Sequence, residues 1–342
     1  MKKKVLRTSG LLALTAVFIF FFVRSVNWNQ VLSHIVGINL LFFLLIIPFS
    51  PLHFFTRAFR WKFLLKPEKK DVAYLNMVKA NIVGFTVTFL FPGRLGEVVK
   101  PIYLARKENM RQGYVIGTVV VERIFDMFTN CLFLGLFLLA RPLYAGFYSL
   151  EPDSLRSLTF WGLVGVGIAS GILLLTLAMY FFREKAVGGV SFLVKRFPAA
   201  WREKTILFVR EFIDGLKFFH SVGSFFLYIL LSFVVWLGVI FFYWLFFMVY
   251  GLKLPFFLMV PYIFLTMVGA SLPTPGMIGG FDYFSRLGMT SLYGLEASMA
   301  VGMTLVVHTL QVVVTCVLGY AILAREGLSL GEVKKMGEAR KT

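Results

Sequence analysis

Residues 91–126 read FPGRLGEVVKPIYLARKENMRQGYVIGTVVVERIFD. The stretch is charged and punctuated by Pro and Gly, yet the chain around it is built for lipid. Arg94, Glu97, Lys100, Glu122, Arg123 and Asp126 lie in or beside apolar sequence, where a charge is costly unless it is paired or hydrated. In a membrane protein such residues mark a place that handles something polar.

Composition supplies the frame for that stretch. Of 342 residues, 58% are hydrophobic, 17% are aromatic and only 15% are charged, and the mean hydropathy is +0.81, far from an ordinary soluble domain. Charge-free runs at Leu158–Phe182, Ser221–Leu252 and Ala297–Ala324 each exceed the about 20 apolar residues a spanning helix needs. The prediction is an all-α polytopic membrane protein.

A net charge of +18 would suit nucleic acid, but its placement points elsewhere. Of the 35 Lys and Arg, 28 fall in the short segments 1–7, 57–71, 93–113, 183–217 and 325–342. The connections 24–37, 141–157 and 251–255 carry one or two each. This asymmetry predicts that the rich segments, and both termini, are cytoplasmic in a multi-pass protein of the cell (inner) membrane. The surplus charge then faces anionic leaflet lipid, not nucleic acid. Met1–Arg24 has the charge pattern of a signal sequence, but RSVNWNQ follows with no small-residue cleavage site, so it is read as an uncleaved span. Cys131 and Cys316, both in apolar runs, are read as small buried hydrophobes.

Helices are expected at about 8–24, 37–56, 114–140, 158–182, 221–250 and 297–324. Two further apolar pieces are broken. Residues 72–91 are flanked by basic segments on both sides and stop at Pro92, so they are read as re-entrant from the inside. Residues 256–296, interrupted by Pro261, Pro273, Pro275, Gly276, Gly279 and Gly280, are read as re-entrant from the outside. That makes about six full crossings plus two broken helices, or eight helices if both pieces cross. Halves 1–140 and 158–324 then form an inverted-topology repeat, a pattern whose sites lie where broken helices meet near the midplane. Between them, 183–220 is read as an interfacial amphipathic segment: Trp201, Ile206, Val209, Phe212, Leu216 and Phe219 recur at helical spacing, with Arg202, Lys204, Arg210 and Lys217 off the stripe. Residues 325–342 form a cytoplasmic tail.

Three clusters carry candidate chemistry. In the first break, Pro92, Gly93 and Gly96 permit a sharp turn, Arg94 offers a fork for phosphate, and Glu97 holds Arg94 or takes a proton. In the second, Glu122 and Asp126 share one helical face with Arg123 beside it, and Arg94, Arg123 or Lys100 must stand between the carboxylates. They serve transport, a structural ion-pair network, or both. In the third, Pro273, Pro275, Gly276, Gly279 and Gly280 form a hinge that ends at Asp282, with Arg286 as a candidate counter-ion. Asp126, Asp282 and His308 are candidate proton-relay groups; for His308 and Gln311 the alternative is interhelical hydrogen bonding. The histidines at 34, 53, 220 and 308 are scattered, with no HExxH, paired cysteines, nucleophile elbow or Walker lysine. No catalytic residue, metal or cofactor is expected, and the chain is read as not an enzyme.

PGRLGE at 92–97, VERIFD at 121–126 and PTPGMIGGFD at 273–282 resemble, in order, three signatures of the lysylphosphatidylglycerol synthase transmembrane-region family of flippase-like integral membrane proteins. The resemblance covers nearly the whole chain. It implies movement of lipid between leaflets: an anionic phospholipid, or a polyprenyl (isoprenoid-linked) or hopanoid lipid. The family's last motif usually reads Pro-Gly-Gly-x-Gly-x-x-Glu; here Met277 replaces the second Gly and Asp282 the Glu. The soluble aminoacyl-transferase domain of full-length synthases has no counterpart here, so no synthase activity is implied. The expected function is a flippase for an anionic lipid, with Arg94 and Arg123 on the phosphate. The alternative is a lipid-binding partner or scaffold of a lipid- or glycan-synthesis enzyme.

Overall fold

The computed structural model describes residues 2–144, 152–215 and 222–338, and helix is the only regular structure among them. Met1, residues 145–151, residues 216–221 (with Leu216, Lys217, Phe219 and His220) and residues 339–342 lie outside the described residues.

Helix α1 (Lys2–Val23) is followed by α2 (Trp28–Val36), bent from it by 83°. The Asn27 side chain caps α2 by accepting from the Asn29 and Gln30 amides, so a helix stands where a plain connection was expected. Helix α3 (Leu40–Ile46) passes through a 3₁₀ turn containing Pro48 into α4 (Leu52–Leu65). The expected boundary at residue 56 is therefore too early. The helix continues through Arg57 and Arg60, which are buried, not part of a cytoplasmic basic loop.

Helices α5 (Tyr74–Leu90) and α6 (Gly96–Lys107) fold back on one another as a hairpin, and α7 (Gln112–Leu139) leads into the short α8 (Arg141–Tyr144). Next come α9 (Pro152–Phe181), α10 (Arg183–Leu193) and α11 (Ala199–Asp214). Helix α11 packs on the start of α7, where the Glu211 carboxylate accepts from the Gly113 amide. Ile206, Val209 and Phe212 of the expected stripe are half-buried, while Trp201, Lys204 and Arg210 are exposed. Helix α12 (Val222–Val249) precedes a second hairpin of α13 (Met259–Ser271) and α14 (Gly280–Tyr293). Helix α15 (Ala297–Arg325) and α16 (Leu330–Glu338), which packs on α6, complete the chain.

Both hairpins close on glycine. The Gly84 carbonyl lies where a Cβ on Gly96 would stand, and Gly269 and Gly280 meet backbone to backbone in the same way. Without side chains the arms approach closely enough to pack, as small residues allow in membrane bundles. One apolar core gathers around Trp61, Val83, Tyr114 and Phe125, and another around Leu134, Phe247, Tyr262 and Met303; α7 contributes to both.

Among the described residues, Leu40–Leu65, Gly223–Val249 and Ala297–Arg325 are long and apolar enough to cross a membrane, and the bent α1–α2 pair makes a fourth if it is one broken span. Helix α7 has 28 residues, about 42 Å at the usual rise; Glu122, Arg123 and Asp126 lower its apolarity, not its reach.

Glu326, just beyond α15, clamps the base of the first hairpin. It accepts from Lys79 of α5 at 3.0 Å, and from Tyr103 at 2.6 Å and Lys107 at 2.9 Å on α6. Burial works against its charge, but these hydrogen bonds outweigh that and hold its carboxyl below the usual range. The stabilisation is thus present above the unfolded pKa of about 4.3 and is lost as pH falls through the folded value. Glu326→Gln should lower the thermal midpoint in detergent at pH 7, with the gap to wild type closing as pH falls below about 4. Gly96→Ala should cost about 1–3 kcal/mol by overpacking, whereas Gly135→Ala, whose Cβ meets open space, should cost nothing in the same melting assay.

Candidate functional site

The two hairpin tips share one local design. Pro92 ends α5 by forcing Phe91 into extended backbone (φ −125°, ψ 141°). Gly93 and Arg94 follow with φ of 77° and 54°, both left-handed. At the other tip Pro275 is followed by Gly276 and Met277, both at φ 62°, and then by Gly279 at 83°. Arg94 and Met277 are not glycines, so each stores strain of about 1–3 kcal/mol, as residues at functional sites often do. Of the expected hinge glycines, Gly93, Gly276 and Gly279 supply left-handed backbone, while Gly96 and Gly280 supply close packing. Pro273 lies in the segment between α13 and the turn at Pro275.

The tips touch. A Cβ on Gly276 would stand 3.0 Å from the Phe89 carbonyl. Arg94 Nη1 donates to the Ser271 carbonyl at 3.1 Å, and its Nη2 pairs with Glu97 at 2.8 Å. One side chain thus spans from the first tip to the end of α13.

Beside the tips lies a layer of charge. Asp126 is paired with Arg57 and Arg60 at 2.8 Å each and with Arg123 at 3.6 Å, and it accepts from the Trp236 indole at 3.1 Å. Glu122 takes Lys100 at 2.5 Å and Arg60 at 3.5 Å. Lys100 also sits 4.2 Å above the Trp61 ring. Arg57, Arg60, Lys100, Glu122 and Asp126 are all buried. The expected cation between the carboxylates exists, but Arg60 supplies it. Arg57 and Arg60 escaped the sequence reading because they were counted with the basic loop. Their signal was available: no helix breaker intervenes before Pro67, so they fall one turn apart on the helix that carries Trp61.

Asp282 and His308 form a separate pair. His308 Nδ1 lies 2.6 Å from Asp282 Oδ1, its Nε2 lies 3.1 Å from the Gly276 carbonyl, and Asp282 Oδ2 accepts from the Gly279 amide at 2.8 Å. Arg286 is not the counter-ion of Asp282. It donates instead to the carbonyls of Phe21 and Phe22 at the end of α1. Gln311 donates to the Tyr243 hydroxyl at 3.0 Å. Of the candidate relay groups, Asp282 and His308 are in contact, whereas Asp126 belongs to the arginine layer.

All three clusters border one cavity of about 410 Å³ between the hairpins. Arg57, Arg94, Lys100 and Arg123 line one part of its wall and His308 another, and Phe85, Phe89, Phe242 and Phe281 supply apolar surface. Among the described residues the Nε atoms of Arg57, Arg60, Arg94 and Arg123, and Glu122 Oε1, have no hydrogen-bond partner, so the layer is not fully satisfied by the protein. The chemistry of such a wall suits a polar, negatively charged group.

These features define an integral membrane protein with a cationic cavity between two helical hairpins. The chain belongs to the lysylphosphatidylglycerol synthase transmembrane-region family, whose sequence pattern matches residues 10–319. It is 24% identical over 327 residues to the UPF0104 membrane protein MJ1595 of Methanocaldococcus jannaschii, covering 94% of this chain and 95% of that one. No solved structure matches the chain.

Arg60 is fully buried, and breaking a buried pair leaves an uncompensated charge. Arg60→Met should therefore cost about 3–5 kcal/mol of stability, read as a lower thermal midpoint in detergent; an unchanged midpoint would show that Arg57 and Lys100 alone neutralise the layer.

Proposed function

We propose that this protein moves a phosphate-bearing anionic lipid between the leaflets of the cell membrane. One observation carries this. Around the cavity, apart from the Asp282–His308 pair, Arg57, Arg60, Arg94, Lys100 and Arg123 stand against Glu97, Glu122 and Asp126, an excess of two positive charges. Internal pairing does not require that excess, and a cationic cargo would favour the opposite sign. A phosphate offers the matching charge and the geometry for guanidinium forks. Its headgroup would pass between the tips, with Arg94 and Arg123 as its first partners, while the tails remain in the bilayer.

The repeated tip design supports an inverted-topology repeat. Each tip is Pro-Gly-X with two successive left-handed residues, and each hairpin closes on a glycine pair. In this proposal α5–α6 enters from the cytoplasm and α13–α14 from the outside. The full crossings are α1, α3–α4, α7, α9, α12 and α15, with both termini cytoplasmic. Broken helices meeting near the midplane are how secondary transporters build their sites. The proposal is transport without a bond-making step. A separate synthesis enzyme would supply the lipid, whether phospholipid or isoprenoid-linked.

The test is leaflet exchange of a fluorescent phosphatidylglycerol in phosphatidylcholine vesicles containing the purified chain. Arg94→Gly suits the left-handed backbone and removes only the side chain. With a charged hydrogen bond contributing about 1.5–3 kcal/mol, exchange should fall about tenfold or more. Unchanged exchange in Arg94→Gly/Arg123→Gln would sink the site assignment. Binding of the lipid by wild type with no exchange would indicate a lipid-presenting scaffold instead.

A further inference from the structure

The hydrogen-bond arithmetic of His308 does not close without an added proton. Its two ring nitrogens face two acceptors, a carboxylate oxygen of Asp282 and the carbonyl of Gly276. A neutral imidazole has one N–H. With Asp282 ionised, a neutral ring would set lone pair against lone pair at one contact or the other. Both contacts are satisfied only if the pair holds one more proton, as imidazolium with carboxylate or as neutral imidazole with carboxylic acid. The Gly279 amide already donates to Asp282 Oδ2, so the shared proton lies on the Oδ1 side.

We propose that the Asp282–His308 pair binds one exchangeable proton and that this proton fastens the second hairpin tip, making the cavity proton-coupled. Three observations join in this. Both side chains are buried, but His308 borders the cavity, which gives the proton a route. Nε2 reaches the carbonyl of Gly276, a left-handed residue in the turn of the tip, so a retreating ring takes a hydrogen bond away from that turn. Gly276 in turn abuts the Phe89 carbonyl of the first hairpin, so loss of the proton loosens the contact between the tips.

The surroundings of the ring favour no other proton partner among the described residues. Helix α14 presents Asp282 and Phe281, and its Arg286 is committed to α1 carbonyls. Helix α5 presents Phe89, and α12 presents Tyr243, already bonded to Gln311. The α2 residue His34 packs near Gly302, about 9 Å along α15 at the usual rise. The cations of the arginine layer line the same cavity; an anion bound among them would favour the protonated pair, so lipid and proton should bind together.

This inference extends the transport proposal, yet its first test does not depend on transport. Ring ¹⁵N spectra of the full chain in phosphatidylcholine nanodiscs, with His308 assigned by its loss in His308→Gln, report the ring protons. Infrared difference spectra between wild type and Asp282→Asn report the carboxyl. At pH 7 the expected result is either a doubly protonated His308 ring or a protonated Asp282, and loss of that proton on raising the pH. A singly protonated ring together with an ionised Asp282 at pH 7 overturns the proposal. In the vesicle assay, wild-type exchange of phosphatidylglycerol should change at least threefold across the pH at which the proton leaves, and His308→Gln exchange should be flat. A wild-type rate indifferent to that transition overturns the coupling. Absence of any exchange with the proton present would refute the transport proposal and leave the proton site standing.

Discussion

A carboxylate inside a lipid-facing bundle must find its counter-charge within the protein, and Asp126 of α7 finds it on α4. Arg57 and Arg60 both reach it, and the Trp236 indole of α12 adds a third hydrogen bond. Three helices are thereby set in register at one point. Arg60 extends the register by donating to Ser232, one turn before Trp236. Glu122 extends it the other way through Lys100, which docks the returning arm of the first hairpin over Trp61. The position of Arg94 and Glu97 beside the cavity follows from that docking.

Such a network is costly to desolvate and is weak evidence of stability for its own sake. Most of its carboxylate oxygens have internal partners, although Glu122 Oε1 has only the 3.5 Å ion pair with Arg60, and among the described residues the Nε atoms of Arg57, Arg94 and Arg123 have no hydrogen-bond partner. The same side chains can therefore hold the bundle in register and leave attraction over for a ligand. The left-handed Arg94 fits this economy, because the strained turn aims its guanidinium across to Ser271.

Much of the architecture could be read from the residues because it rests on patterns that a linear chain displays. Charge-free runs mark α12 and α15, and Pro-Gly clusters mark both tips. The pairing of Arg123 with Asp126 follows from helical spacing, and that of Arg94 with Glu97 from their nearness in sequence at the turn. What stayed hidden depends on distant partners. Arg57 and Arg60 look like loop cations until Asp126, on another helix, is known to neutralise them. Asp282 looks like a match for Arg286, four residues on, but the contact it makes is with His308, 26 residues away. The bend after α1 was obscured because Asn27 caps a short helix in a stretch whose composition suggests only a connection.

Helix α15 belongs to neither hairpin and is fastened to both. Its end is gripped through Glu326 at the base of the first, its Thr315 carbonyl accepts from Thr86 midway up that hairpin's outgoing arm, and its His308 holds the tip of the second. The 18 residues from His308 to Glu326 make about 27 Å of helix, with no proline to flex it. It is a tie-rod. A shift of His308 along its axis must be taken up at Glu326 or by sliding against α5, so the tip of the second hairpin is tied to the base of the first.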